Sequence, residues 1–153
     1  MPTFSQISKD KLATCHPDLI TIFNWVVKYY DCTVDWGYRP QVDQDRFFNE
    51  GKSKVKYPTI HNCKPSFAAD VYPYVSGRVN YGNTPEEENQ CRDFAGFVLC
   101  VGIFLFESGR ITHKLRRGVD WNGNFDVKDQ SFKDVCHFEL IPNSGEILNY
   151  QPI

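Results

Sequence analysis

Apolar positions recur at helical spacing after His16-Pro17. Leu19, Ile22, Phe23, Val26, Val27 and Tyr30 fall on one face. Pro17 and Asp18 suit a first helical turn, so the pattern predicts an amphipathic helix packed on a core. Residues 33–38 (TVDWGY) are β-branched and aromatic in partial alternation and predict a short strand, ended by Arg39-Pro40. Residues 41–49 predict a short polar helix stopped by Gly51. Residues 52–65, with Pro58 and Pro65, read as a loop. A strand is expected over 67–71 and a turn-rich stretch over 73–83.

Thr84-Pro85-Glu86-Glu87 opens the strongest element. Thr84 and Glu87 fit a capping box, and Pro85 sits at the first helical position. The helix is expected to reach Glu107, stop at Gly109, and lie at the centre of the core, because its middle is apolar nearly all round. A strand over 110–115, a polar loop over 118–133 and a final strand over 136–141 complete the chain. The order predicts an α+β fold, a small sheet with helices packed on it. No linker or repeat divides the sequence, so one domain over 1–153 is expected.

Composition narrows the class. The 153 residues carry a net charge of −2, 41% apolar and 24% charged side chains, ordinary values for a globular protein. No basic stripe points to nucleic acid. The longest apolar run, 94–106, falls short of the ~20 residues a membrane span needs, so no stable membrane insertion is expected. The polar start lacks the apolar segment of a signal peptide. Synthesis in a cytoplasm and reduced thiols at the six cysteines follow as expectations.

The candidate chemistry lies in histidines and carboxylates. A catalytic zinc takes three protein ligands and leaves a position for water. His61, Asp70 and His137 form such a set; the first two share the segment HNCKPSFAAD and the third lies in DVCHFEL. Asp134, three residues before His137, is a candidate general base, and Arg39 a candidate oxyanion stabiliser. In a regular strand Asp134 and His137 would face opposite sides, so the pairing demands a bend between them. Cys63 and Cys136 are rival thiolate ligands. His16 and His113 read as structural. Asp120, Asn122, Asn124 and Asp126 alternate oxygens like the start of a calcium loop, although Phe125 and Ser131 break the pattern.

Three segments, GYRP (37–40), GKSKVKYPTIHNCKPSFAADVYP (51–73) and RRGVDWNGNFDVKDQSFKDVCHFEL (116–140), together resemble the M15 peptidases. Within that family they are most similar to the phage L-alanyl-D-glutamate endopeptidases, relatives of the zinc D-alanyl-D-alanine carboxypeptidases. The resemblance implies that family's fold, a small antiparallel sheet with packed helices. It implies zinc on His61, Asp70 and His137, Asp134 as base and Arg39 as transition-state or substrate-carbonyl partner. Thr59 stands where the family commonly has a substrate-binding serine, and Cys136 where it often has proline.

The expected function is zinc-dependent hydrolysis of the L-alanyl-D-glutamate bond of peptidoglycan, as in a phage endolysin. A D,D-carboxypeptidase on terminal D-alanine is the alternative. A metal-stabilised wall-binding or virion module without catalysis is the rival from another class. The resemblance further implies a monomer made in the host cytoplasm that acts on the cell wall after release, with a holin pore giving access.

Overall fold

The computed structural model describes residues 1–150; the last three residues of the expected 1–153 domain lie outside the described residues. Four helices and a five-stranded antiparallel sheet form an α+β fold. The elements are α1 (Gln6–Leu12), α2 (Pro17–Val26), β1 (Cys32–Trp36), α3 (Gln41–Asn49), β2 (Ala68–Val75), β3 (Arg78–Val79), α4 (Pro85–Glu107), β4 (Leu115–Gly118) and β5 (Asp134–Leu140), with a 3₁₀ turn at Ile60–Asn62. The strands run in the order β1-β2-β5-β4, and β3 pairs with β2.

Strand alternation separates the two faces of the sheet. Ala69 and Val71 of β2, and Phe138 and Leu140 of β5, are fully buried against the helices. Asp70, Tyr72, His137 and Glu139 project into a cleft on the other face. On the helical side Leu19, Ile22, Phe23 and Val26 of α2 meet Phe94, Ala95 and Val98 of α4. Phe138 lies at the centre, edge-on to Phe23 at 5.5 Å and to Phe94 at 5.9 Å.

Helix α4 starts and stops where expected, but only one stripe of it is buried. Cys91, Phe94, Ala95, Val98, Gly102 and Leu105 face inward, while Ile103 and Phe104 are exposed. By length and composition alone it is apolar enough to cross a membrane; here its inner face packs on α2 and the sheet. At its start Thr84 accepts the Glu87 amide, but the Glu87 carboxylate reaches back to the Asn83 amide at 3.0 Å, one residue beyond a capping box.

Five other elements differ from expectation, among them β5, which begins at Asp134, two residues before the expected start. Helix α1 was not expected; its N-cap is Ser5, and Ser8 ties it to β1 through Thr33 and the Val34 amide. Strand β1 ends at Trp36, two residues early, at an irregularity in its pairing with β2. Strand β2 runs on through Pro73 to Val75, where a hairpin leads to β3, in place of simple turns. The strand expected over 110–115 begins only at Leu115, because the amides of Thr112 and His113 donate to the Asp18 carboxylate and are lost to a ladder.

Candidate active site

The sheet register assembles the cleft. Asp70 of β2 pairs directly with His137 of β5 and with Trp36 of β1, and Arg116 of β4 pairs with Glu139 of β5. His61 arrives from the 3₁₀ turn, which is zipped to the GYRP segment. The Arg39 amide donates to His61 O at 2.9 Å, and Asn62 Nδ2 donates to Arg39 O at 2.7 Å. That segment in turn lies tight on the α1–α2 link: a Cβ on Gly37 would collide with Thr14, Lys11 and Cys15.

The bend required between Asp134 and His137 exists as a β-bulge. Arg117 pairs with Phe138 and the next residue, Gly118, pairs with Asp134, so residues 135–137 of β5 have no opposite number on β4. The slip turns Asp134 onto the cleft face beside His137. Cys136 points into the core instead, where its thiol contacts Cys91 and is pushed up by that contact and by burial. Cys63 Sγ donates to Ile60 O. Neither thiol joins the histidine–aspartate cluster.

The donor set itself calls for a cation. His61 Nδ1 lies 2.8 Å from Gly37 O, and a carbonyl can only accept, so Nδ1 is the donor there and Nε2 is the nitrogen left to carry a lone pair in the neutral ring. His137 Nε2 lies 2.8 Å from Glu139 Oε2, which leaves Nδ1 to carry the lone pair in the neutral ring by the same reasoning. These two nitrogens face Asp70 Oδ1, at 3.2 Å and 3.0 Å, and stand 3.2 Å from each other. With both rings neutral, three buried lone-pair donors therefore converge with no hydrogen between them. Tetrahedral ligands ~2.0–2.1 Å from one zinc ion stand about 3.3 Å apart, so the residues fit that metal. In the protein alone a proton relieves the repulsion: burial opposes the charge on His137, but Asp70 and Glu139 outweigh it and raise the imidazole to about 10.

The surroundings hold this set in place. Arg39 is buried and donates from Nη2 to Asp70 Oδ2 at 2.6 Å and from Nη1 to Gln44 at 3.0 Å. Both terminal nitrogens are therefore engaged, while its Nε has no partner. Burial works to raise the Asp70 carboxyl, but His61 and His137 hold it well below its usual range. Glu139 is likewise lowered against burial by His137 and Arg116. Asp134 is raised, first by burial and then by the charge of Asp70. Thr59 Oγ1 is buried in the cleft wall without a partner.

The sequence did not single out Glu139, Arg116, Gln44, Gly37 or Trp121. Glu139 left a readable signal: two residues beyond His137 on a strand, it must share its face. Trp121 packs 5.5 Å from the His137 ring and donates its indole N–H to Phe132 O at 2.8 Å.

Outside the cleft, His16 caps α2 by accepting the Asp18 amide. His113 is clasped between Asp18 at 2.8 Å and Glu146 at 2.9 Å. In the 120–126 loop the alternating oxygens serve its own turns. Asp120 accepts the amides of Asn124 and Phe125, Asn124 that of Asp126, and Asp126 that of Lys128.

Comparison with known proteins places the chain among relatives. The chain is 26% identical over 143 residues to the L-alanyl-D-glutamate peptidase of Escherichia phage T5, covering 90% of this chain and 97% of that protein. Its fold superposes on the crystal structure of the Serratia marcescens L-Ala D-Glu endopeptidase ChiX with a TM-score of 0.63 and 22% identity, over 91% of this chain and 90% of the other. The profile of the phage L-alanyl-D-glutamate peptidase family matches residues 2–141, nearly the whole chain, and the protein belongs to that family.

Proposed function

We propose that the protein is a zinc-dependent peptidoglycan endopeptidase that hydrolyses the L-alanyl-D-glutamate bond of the stem peptide. The observation that carries this reading is the convergence of His61, Asp70 and His137 on one point beside the half-buried Asp134 carboxyl. Zinc held by His61, Asp70 and His137 would supply Lewis acidity, making water nucleophilic near neutral pH and polarising the scissile carbonyl.

The protein's own groups do the rest. Asp134, on the cleft face beside His137, takes the proton of the attacking water and hands it to the departing amine of D-glutamate. Arg39 fixes Asp70 so that Oδ1 faces the histidines. With both terminal nitrogens engaged, its buried charge acts through its field, and not by a direct bond, on the negative charge that grows on the scissile carbonyl oxygen. Glu139 and Gly37 O fix the tautomers of the two histidines. The Thr59 hydroxyl, unpartnered in the cleft wall, would bind a polar group of the substrate once a side-chain rotation exposes it. Peptidoglycan is the partner, and action as a monomer that reaches the wall through a holin pore completes the proposal.

Asp134→Asn tests the assignment, with zinc content and cleavage of a defined muropeptide measured on the same sample. Loss of ~10²-fold or more in rate with zinc retained is expected; near-normal cleavage would remove Asp134 from the mechanism. Release of free D-alanine alone would replace the endopeptidase reading with a D,D-carboxypeptidase.

A further inference from the structure

The loop after α3 carries Lys52, Lys54 and Lys56 in a chain that is acidic overall. The loop is pinned at the cleft. Gln44, fully buried, donates from Nε2 to Ser53 Oγ at 2.9 Å and to Val55 O at 2.6 Å, the residues on either side of Lys54. The same glutamine accepts from Arg39 Nη1. One buried side chain therefore sets both Arg39 and the backbone that presents Lys54.

The cations lining the cleft are Arg39, Lys52, Lys54 and Arg116. Arg39 is spent on Asp70 and Gln44, Arg116 on Glu139 and Trp121 O, and Lys52 on Glu50 at 2.7 Å. Lys54 is exposed and, among the described residues, has no acceptor. The acids on the same wall are Asp35, Asp70, Asp134 and Glu139.

A D-glutamate residue has two carboxyl groups, and only one continues the peptide. The leaving half of the substrate therefore carries a free carboxylate a few bonds from the scissile nitrogen, the atom that Asp134 must protonate. Asp35, Asp70 and Glu139 are paired with Lys11, Arg39 and Arg116, so the cation left in the cleft to meet that carboxylate is the unpaired Lys54. We infer that Lys54 binds the free carboxylate of the D-glutamate residue and so sets the preference for stem peptides in which this group is not amidated. The inference rests on the endopeptidase reading above.

Two synthetic stem peptides that differ only in this group, carboxylate or carboxamide, test it. They are assayed with the zinc-loaded full chain, Lys54→Gln and Lys54→Arg, with kcat and KM resolved, at low and high salt. The wild-type chain should favour the carboxylate about fivefold through KM, and salt should erode that preference. Lys54→Gln should bring the two substrates together, and Lys54→Arg should restore the difference. A wild-type chain indifferent to the group, or a Lys54→Gln chain that keeps the preference, would overturn the assignment. A fall in kcat alone, equal for both peptides, would reduce Lys54 to loop structure and overturn it as well. If the zinc-loaded wild-type chain cuts neither peptide, the endopeptidase reading itself falls.

Discussion

Gly118→Ala adds one methyl group at the bulge that brings Asp134 and His137 together. A Cβ at Gly118 would lie well inside 3.0 Å of the Asp134 carbonyl oxygen and 3.1 Å from the Cβ atoms of both Asp134 and His137. None of these is the loose end of a flexible side chain, so the β5 backbone must move. Carbon–oxygen contacts normally sit near ~3.3 Å, which requires a displacement of about 1 Å. A misplacement of that size at reacting groups costs about 10²-fold, so kcat/KM on a stem peptide should fall about a hundredfold. Overpacking adds a stability cost of about 1–3 kcal/mol, and a chain of this length loses about 3 °C of Tm per kcal/mol. Gly96→Ala is the matched control. A Cβ there meets nothing within 4 Å in the middle of α4, so the helix should gain about 0.5–1 kcal/mol with activity unchanged. Thermal melts and kcat/KM of both variants decide the matter. Wild-type Tm and kcat/KM in Gly118→Ala would refute the claim that the bulge holds the catalytic geometry.

Glu139→Gln keeps an acceptor for His137 Nε2 but removes the charge and the ion pair with Arg116. Zinc affinity, read by chelator competition, should weaken about 10–100-fold; an unchanged affinity would deny Glu139 its orienting role. The His113 clasp should make stability depend on pH. Burial disfavours the His113 charge, but its bonds to Asp18 and Glu146 win and the pKa is raised. Its stabilisation is therefore complete below the ordinary value of ~6.5 and is lost as pH rises through the raised one. Asp18 and Glu146 are lowered, so their share is lost only as pH falls below ~4. His16, lowered by burial, works against stability below ~6.5. His113→Gln should cost about 1 kcal/mol near pH 6, and the Tm gap to wild type should close toward pH 9. A gap that stays constant across that range would show that the charge on His113 does not matter.

Elements with strong local signals were legible in the sequence. Helix α2 has an apolar face at helical period behind Pro17, and α4 has Thr84, Pro85 and Gly109 as punctuation. Helix α1 offered no such stripe, since Ile7 is exposed and Leu12 alone among its apolar residues is buried. The position of β4 depends on Asp18, nearly a hundred residues away, taking two amides. In the site, His61, Asp70 and His137 stood out by residue type. The face taken by Asp134 did not, because strand parity places it away from His137 and only the slip opposite Gly118 reverses that. Gln44 and Arg116 are ordinary polar residues in sequence; their roles come from contacts that the fold creates.

The most direct test is cleavage of a defined stem peptide by protein whose zinc content is measured on the same sample, with products identified by mass. The protein with one zinc should cut between L-alanine and D-glutamate, lose that activity on chelation, and regain it with added zinc, while His137→Ala neither holds zinc tightly nor cuts. Full activity in metal-free protein, or zinc bound without any cleavage, would contradict the account.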